Sequence, residues 1–308
     1  MIKKVTLDDL EISFGTKKKN FSKKFLEIYK KSNLRYNEIE HTKENLLIQS
    51  LIKKILKDKK KIGSKERKIV WENGWNENFV KFKKNPKDLK TLQPLYIKKS
   101  PLRFLNKFIL PKSKFFEYNY FQLLRQNLFD KYFCNYGNLY EFGSGTGLTS
   151  LALAQNFPYK KIFATDFVKS SIKIIQLIAK YYNKNINAQI FDIKKPNYKY
   201  VINKDSLVFT FGAIEQVSYD YKKFVNFLLK KKPGLIINME PFKEEYNLKN
   251  YMDLLSYTFI EKRKYAADFL PYLKNLEKKK KIKIIKIKRT YFGGSMMESY
   301  NYIVWKVI

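Results

Sequence analysis

The chain has 308 residues, of which 44% are hydrophobic, and carries a formal net charge of +35 with one cysteine and one histidine. This length and apolar content allow a sizeable core, which excludes a disordered chain and predicts one large domain with an appendage. Because Cys134 and His41 are single, disulfide frameworks, thiolate metal clusters, histidine metal sites and serine–histidine triads are excluded or strongly disfavoured.

The charge balance has two interpretations. Clustered lysines bind polyanions by releasing counterions from phosphates, which would indicate a nucleic-acid partner. However, only six of the 63 basic residues are arginines, the type best suited to bidentate phosphate and guanine contacts. Lysine also occurs alongside many asparagine, isoleucine, tyrosine and phenylalanine residues, all of which have A/T-rich codons. A biased genome is therefore the favoured explanation, and a functional basic surface is the alternative.

The sequence predicts neither a membrane span nor a secretory signal. No stretch approaches the ~20 apolar residues that cross a bilayer, and the basic start of the chain has no apolar run after it. We expect a soluble, cytoplasmic protein, and the sequence leaves its oligomeric state open.

Residues 1–112 are predicted to form a mainly helical region and are a candidate lid. Residues 45–56 have helical spacing of their apolar positions, which predicts an amphipathic helix whose apolar face packs on the protein. A helix that lies on a membrane surface or binds a partner is the alternative. These apolar positions are Leu47, Ile48, Leu51, Ile52, Ile55 and Leu56. Gly63 and Ser64 interrupt the pattern. A second helical stripe is interpreted as core and consists of Trp71, Trp75, Phe79 and Phe82.

Prolines then mark an irregular connection, because proline removes a backbone donor and biases its predecessor away from helix. They stand at positions 86, 94, 101 and 111. We place a domain boundary near residue 112, so that residues 113–308 form the second domain.

The second domain begins with a predicted helix over residues 116–133, and strands and helices then alternate. Predicted strands cover residues 139–142, 162–166, 206–211 and 234–239, and a further strand ends at 190–191. Predicted helices cover 148–157 and 169–182, and another contains 224–229. Short apolar strands separated by helices predict a doubly wound, mostly parallel sheet of the α/β class. Two late strands, 282–287 and 300–307, have too short a connection for a parallel crossover and are predicted to pair antiparallel.

A glycine-rich loop follows the first strand of this domain. Gly143, Gly145 and Gly147 allow a tight turn and a close ligand approach to the backbone. Asp166 ends the next strand, where a carboxylate can bind both ribose hydroxyls of a nucleoside. A dinucleotide fingerprint would read G-x-G-x-x-G, whereas this loop reads G-x-G-x-G. Glu141 before it would repel pyrophosphate and suits a cationic amino group.

These segments resemble the first three motifs of the class I S-adenosylmethionine-dependent methyltransferases, which have a Rossmann-like fold. The resemblance covers residues 139–308 and implies S-adenosylmethionine as cofactor. The implied cofactor contacts are Glu141, Gly143, Ser144, Gly145, Gly147, Asp166, Phe167, Asp192, Ile193, Phe211 and Gly212. Asp192, after the third strand, can accept a hydrogen bond from the adenine amino group. No motif of the family occurs in the N-terminal third.

The acceptor is harder to infer, because methyl transfer needs little apparatus beyond positioning and proton removal. Glu215 follows the fourth strand and is a candidate base, while Gln216, Glu240 and Tyr291 are candidate substrate contacts. Gly293, Gly294 and Glu298 lie with Tyr291 in the late connection, a candidate substrate loop.

Absent motifs narrow the acceptor class. The sequence lacks both the Asn/Asp-Pro-Pro-Tyr/Phe signature of amino-methylating enzymes and the cysteine pair of pyrimidine carbon-5 methylation. We expect an oxygen or nitrogen of a small molecule or sugar as acceptor. RNA or protein methylation and a non-catalytic binding module are the alternatives.

Overall fold

The N-terminal region contains strands as well as helices. In the computed structural model, which describes residues 1–60, 62, 65–94 and 100–308, its elements alternate irregularly. The strands are β1 (Ile2–Lys4), β2 (Arg35–Glu38), β3 (Leu102–Phe104) and β4 (Lys107–Pro111). The helices are α1 (Leu7–Phe14), α2 (Lys23–Lys31), α3 (His41–Lys57) and α4 (Lys65–Lys84). The predicted break at Gly63 and Ser64 lies outside the described residues.

The rest of the chain follows the predicted alternation. Its helices are α5 (Phe116–Lys131), α6 (Leu148–Asn156), α7 (Lys169–Tyr181), α8 (Tyr221–Lys231), α9 (Tyr251–Arg263) and α10 (Phe269–Lys278). Its strands are β5 (Asn138–Phe142), β6 (Lys161–Asp166), β7 (Ile186–Ile190), β8 (Ser206–Phe211), β9 (Leu235–Met239), β10 (Ile282–Lys288), β11 (Phe292–Gly294) and β12 (Tyr302–Val307).

The central sheet has seven strands in the order β10-β12-β9-β8-β5-β6-β7. The five strands from β9 to β7 are parallel, whereas β12 pairs antiparallel with both β9 and β10. Parallel strands all end at one edge of a sheet, and the order reverses at β5 and β8, which places a ligand crevice there. The prediction of a doubly wound, mostly parallel Rossmann-like sheet with a late antiparallel pair is confirmed.

A second, antiparallel sheet links the two ends of the chain. Its order is β1-β2-β4-β3-β11, so the late strand β11 joins four strands of the N-terminal region. Phe292 lies opposite Phe104 in this pairing. The hydrophobic core is also shared, because a single cluster contains Phe14 and Phe25 together with Leu139 and Ile162. The boundary near residue 112 stays a prediction.

Two local predictions need correction. The proline-marked connection is not wholly irregular, since β3 and β4 lie within it and Pro111 ends β4 opposite Tyr36. In α3 the buried stripe is narrower than predicted: Leu51 and Ile55 are buried, whereas Ile52 and Leu56 are exposed. Helical spacing identifies the apolar face of α3. How many residues of that face are buried depends on the element packed against it, which is mainly α9. Within the described residues, no helix is both long and apolar enough to cross a membrane.

Candidate active site

A cavity of about 1350 Å³ lies at the carboxyl edge of the parallel strands. The loops that follow β5, β6, β7 and β8 form its floor. Helices α4, α5 and α9 and the segment between β11 and β12 form its walls. Its volume exceeds the ~300–1,000 Å³ typical of a single small-molecule site, so two ligands can occupy it together.

The glycine loop brings backbone to the cavity surface. Gly143 has φ +80°, and a Cβ there would lie 2.5 Å from the Cβ of Ala213. Gly145 has φ +54°, and a Cβ would meet the ring of Trp75 at 3.1 Å. Both glycines and Ser144 line the cavity. Gly147 does not line the cavity. A Cβ there would lie 2.7 Å from Ile175, so the absence of a side chain lets the loop approach α7 closely.

Two buried carboxylates stand beside the loop. Glu141 is 3% exposed and accepts a hydrogen bond from the hydroxyl of Ser150. Asp166 is equally buried and accepts the N–H groups of Gly145 at 2.8 Å and Val168 at 3.2 Å. Burial raises the pKa of Glu141 to about 7 and that of Asp166 to about 6. Since both line the cavity, a bound cationic or hydroxyl group would favour their ionised forms.

The remaining predicted cofactor residues are brought to the same cavity. Its lining includes Phe167, Asp192, Ile193, Phe211 and Gly212. An oxygen of Asp192 accepts the N–H of Lys194 at 2.8 Å, which fixes the turn after β7. The loops after four neighbouring strands therefore converge as the sequence predicts, because parallel strands end at one edge.

Helix α4 covers the glycine loop, a contact that the sequence did not indicate. Both carboxylate oxygens of Glu72 accept N–H groups at the start of α7, from Lys169 and Ser170, each at 2.9 Å. Asn78 is 1% exposed and donates to the carbonyls of Thr91 and Gln93. Trp71 and Trp75 line the cavity, although the sequence interpretation placed them in the core. Trp75 also belongs to the core, since it is 8% exposed.

Replacing Glu72 with Ala is expected to lower the free energy of unfolding by about 1 kcal/mol, the usual loss for a helix N-cap. The reason is that Glu72 caps α7 from another helix and so joins α4 to the central domain. Urea unfolding of this variant and of Glu77→Ala, an exposed charge-matched control on α4, measures the effect. Equal unfolding free energies for the two variants would contradict the capping role.

Glu215 also lines the cavity and lies in the turn after β8. Gln216 donates to Glu215 Oε1 at 2.7 Å, and Arg67 Nη2 donates to Gln216 Oε1 at 2.5 Å. Burial raises the pKa of Glu215 to about 7, against the opposing effects of Gln216, Arg67 and Arg263. A carboxyl group with this pKa can both hold and release a proton near neutrality.

Glu240 is at the predicted place in the chain but does not line the cavity. Its side chain is fully buried and accepts the N–H groups of Ala213, Ile214 and Glu215 at 3.0–3.1 Å. Burial and the nearby Glu215 raise the pKa of Glu240, while these donors oppose the rise. Glu240 therefore holds the turn that carries Glu215 and has no surface toward a substrate.

The late connection also differs from the predicted substrate loop. Tyr291 has φ +55° and lies against the guanidinium of Arg289, away from the cavity lining. Arg289 in turn pairs with Glu298 and Asp253. Gly294 does reach the cavity, as do residues 295–297, Ser299 and Tyr300, because β11 pairs with β3 and directs the chain across the opening.

Further residues at this end were not identified from the sequence. Tyr300 donates to Glu117 at 2.9 Å, and burial raises the pKa of Glu117. The centroid of the Phe121 ring lies 6.1 Å from that of Phe211 and 5.7 Å from that of Tyr300. The sequence predicts that an acceptor would lie after β8, so the part of the cavity lined by this aromatic wall and the Glu215 turn is called the acceptor end. No local sequence pattern predicted these contacts, because Glu117 and Phe121 of α5 are far from Tyr300 in the chain.

The chain resembles several solved structures. One is the methyltransferase domain of bacterial CtHen1 (14% identity, 59% of this chain and 94% of that chain, TM-score 0.43). PigF with SAH matches at 14% identity over 61% of this chain and 59% of that chain, with a TM-score of 0.41. The PH0226 protein from Pyrococcus horikoshii OT3 matches at 12% identity over 59% of this chain and 87% of that chain, with a TM-score of 0.44. No family model and no curated protein matches the chain.

Proposed function

We propose that the chain is an S-adenosylmethionine-dependent methyltransferase that acts on an oxygen or nitrogen of a small molecule. The observation that carries the proposal is one cavity that joins the glycine loop and the buried Asp166 to Glu215. A nucleoside site alone would not need a cavity of this size. A cavity larger than one ligand, with a carboxyl group of pKa about 7 in it, suits a reaction between two bound molecules.

The cofactor end fits S-adenosylmethionine by its donor set. Asp166 has a carboxylate at a strand end for ribose hydroxyls, and Glu141 supplies negative charge for an amino group. Gly143 lets the loop approach the turn after β8 closely, because a Cβ there would lie 2.5 Å from the Cβ of Ala213. When bound, S-adenosylmethionine supplies an electrophilic methyl group.

The chain's own residues then have two tasks, which are to align the acceptor and to take its proton. The aromatic wall of Phe121, Phe211 and Tyr300 can hold an apolar acceptor body at the end of β8. Glu215 is the group we assign as general base, and Gln216 fixes its orientation through a hydrogen bond to Oε1. Glu240 holds the backbone of the same turn. Helix α4 of the N-terminal region covers the site.

A polynucleotide acceptor is the second candidate, favoured by the net charge of +35 and by Lys68, Lys194 and Lys195 in the cavity lining. The aromatic wall of Phe121, Phe211 and Tyr300 favours the small molecule, because it suits an apolar acceptor body better than a phosphate backbone.

Isotope-labelled S-adenosylmethionine tests the proposal. The purified protein is incubated with the labelled cofactor and either a metabolite extract or total RNA from the source organism. Label recovered in small molecules is the expected result, and label recovered only in RNA would replace it with the second candidate. Calorimetry of S-adenosylmethionine with the protein alone is the control, and absence of binding would contradict every catalytic assignment.

A further inference from the structure

Arg67 is an arginine in the cavity wall that forms no direct ion pair with a carboxylate of the described residues, although its charge favours the ionised form of Glu215. Among the described residues, Arg263 pairs with Asp58, and Arg289 pairs with Asp253 and Glu298. No ion pair of these residues includes Arg67. Its single hydrogen bond to a described residue goes to the neutral amide of Gln216.

One donor of Arg67 is also unsatisfied. Its Nε–H is shielded from solvent and has no acceptor in the described part of the chain. A buried donor without a partner costs about 1–3 kcal/mol, so a ligand acceptor that reached it would recover this cost. The guanidinium lies 5.3 Å from the ring of Trp71, which restrains its plane. A held, planar guanidinium is suited to bidentate binding of an oxyanion.

The charge around Arg67 points the same way. Lys68 also lines the cavity, while the charge of Arg263 is compensated by Asp58. The nearby carboxyls offset these cations only in part, because burial raises the pKa of Glu215 to about 7 and raises that of Glu117 as well. The positive charge of Arg67 and Lys68 is therefore least offset when Glu215 holds a proton.

We infer that the methyl acceptor carries an oxyanion, a carboxylate or a phosphate, which Arg67 binds while the acceptor's nucleophile faces Glu215. The inference rests on the proposed function and deepens it by naming the acceptor class. Arg67 and Glu215 are joined through Gln216, so the two groups lie one side chain apart. The acceptor's anion and its reacting atom are thus separated by a short distance within one small molecule.

Calorimetry with four small probes tests this inference. Benzoate, phenyl phosphate, benzyl alcohol and benzylamine are each titrated into the full chain saturated with S-adenosylhomocysteine. At least one anion is expected to bind about tenfold more tightly than the neutral and cationic probes, a difference of about 1.4 kcal/mol. Comparison of benzoate with phenyl phosphate shows which oxyanion the site prefers.

Two variants complete the design. Arg67→Gln is expected to remove the preference for anions while leaving the affinity for benzyl alcohol unchanged. Arg35→Gln removes the same charge from an exposed position on β2 and is expected to retain the preference. If Arg67 only positioned Gln216 and Glu215, its replacement would weaken all four probes alike.

Several outcomes would overturn the inference: equal affinities for all probes, an anion preference that survives Arg67→Gln, or no detectable anion binding up to about 10 mM. Failure of the proposed function gives a different result, since S-adenosylhomocysteine itself would then not bind in the first step.

Discussion

Replacing Glu215 with Gln is expected to lower kcat by about 10²–10⁴-fold, the usual contribution of a positioned general base. The amide keeps the size of the side chain but cannot take the acceptor's proton. Cofactor affinity should change little, because Glu215 lies at the acceptor end of the cavity. The measurement is steady-state kinetics with the acceptor recovered from the labelling experiment.

The pH dependence provides a second readout of the same prediction. Because burial raises the pKa of Glu215 to about 7, the base is protonated below that pH and ionised above it. The kcat of the unmodified protein should rise about tenfold per pH unit below pH 7 and level off above it. The Glu215→Gln variant should lack this rise.

Glu117→Gln is the matched comparison, since Glu117 is the other carboxyl at the acceptor end whose pKa is raised by burial. Loss of the pH-dependent rise in this variant, with its retention in Glu215→Gln, would transfer the base to Glu117. Undiminished turnover in both variants would remove the general base from the proposal.

Replacing Asp166 with Ala is expected to weaken S-adenosylmethionine binding by about 1–3 kcal/mol, the scale of lost hydrogen bonds to a charged group. Calorimetry on the purified variant measures this. The structure adds a complication, because Asp166 also accepts the N–H groups of Gly145 and Val168 and so shapes the loop.

The control for this second role is the free energy of unfolding without ligand, together with the variant Asp192→Ala, which removes a carboxylate from the next loop. Asp166→Ala should show a larger loss of affinity than Asp192→Ala. An unchanged affinity would move the ribose contact to another residue.

The sequence was sufficient to predict the fold because its signals are local. Glycines directly after a strand, an acid at the end of the next strand and apolar runs separated by helices are read within about 30 residues. The short connection before β12 likewise excluded a parallel crossover. These features were enough to place the glycine loop and Asp166 at one sheet edge.

A sequence pattern that occurs in two different environments was not sufficient to predict which environment a residue has. The stripe of Trp71 and Trp75 has the same helical spacing in a core as in a cavity wall, and both descriptions apply to Trp75. Glu240 was placed correctly at the end of β9, but the direction of its side chain depends on three N–H donors from the turn after β8. The position of Glu240 in the sequence does not reveal whether its carboxylate faces the cavity or the turn after β8.

The sequence by itself determined the sheet, the loop and the strand-end acids, because each depends on residues close together in the chain. The tertiary structure alone decided which distant segments complete the site. It joins β11 to β3, Glu72 to the start of α7, and Arg67 to Gln216, across separations of roughly 100 to 190 residues. Such contacts arise from the packing of whole elements against one another, and no local spacing encodes them.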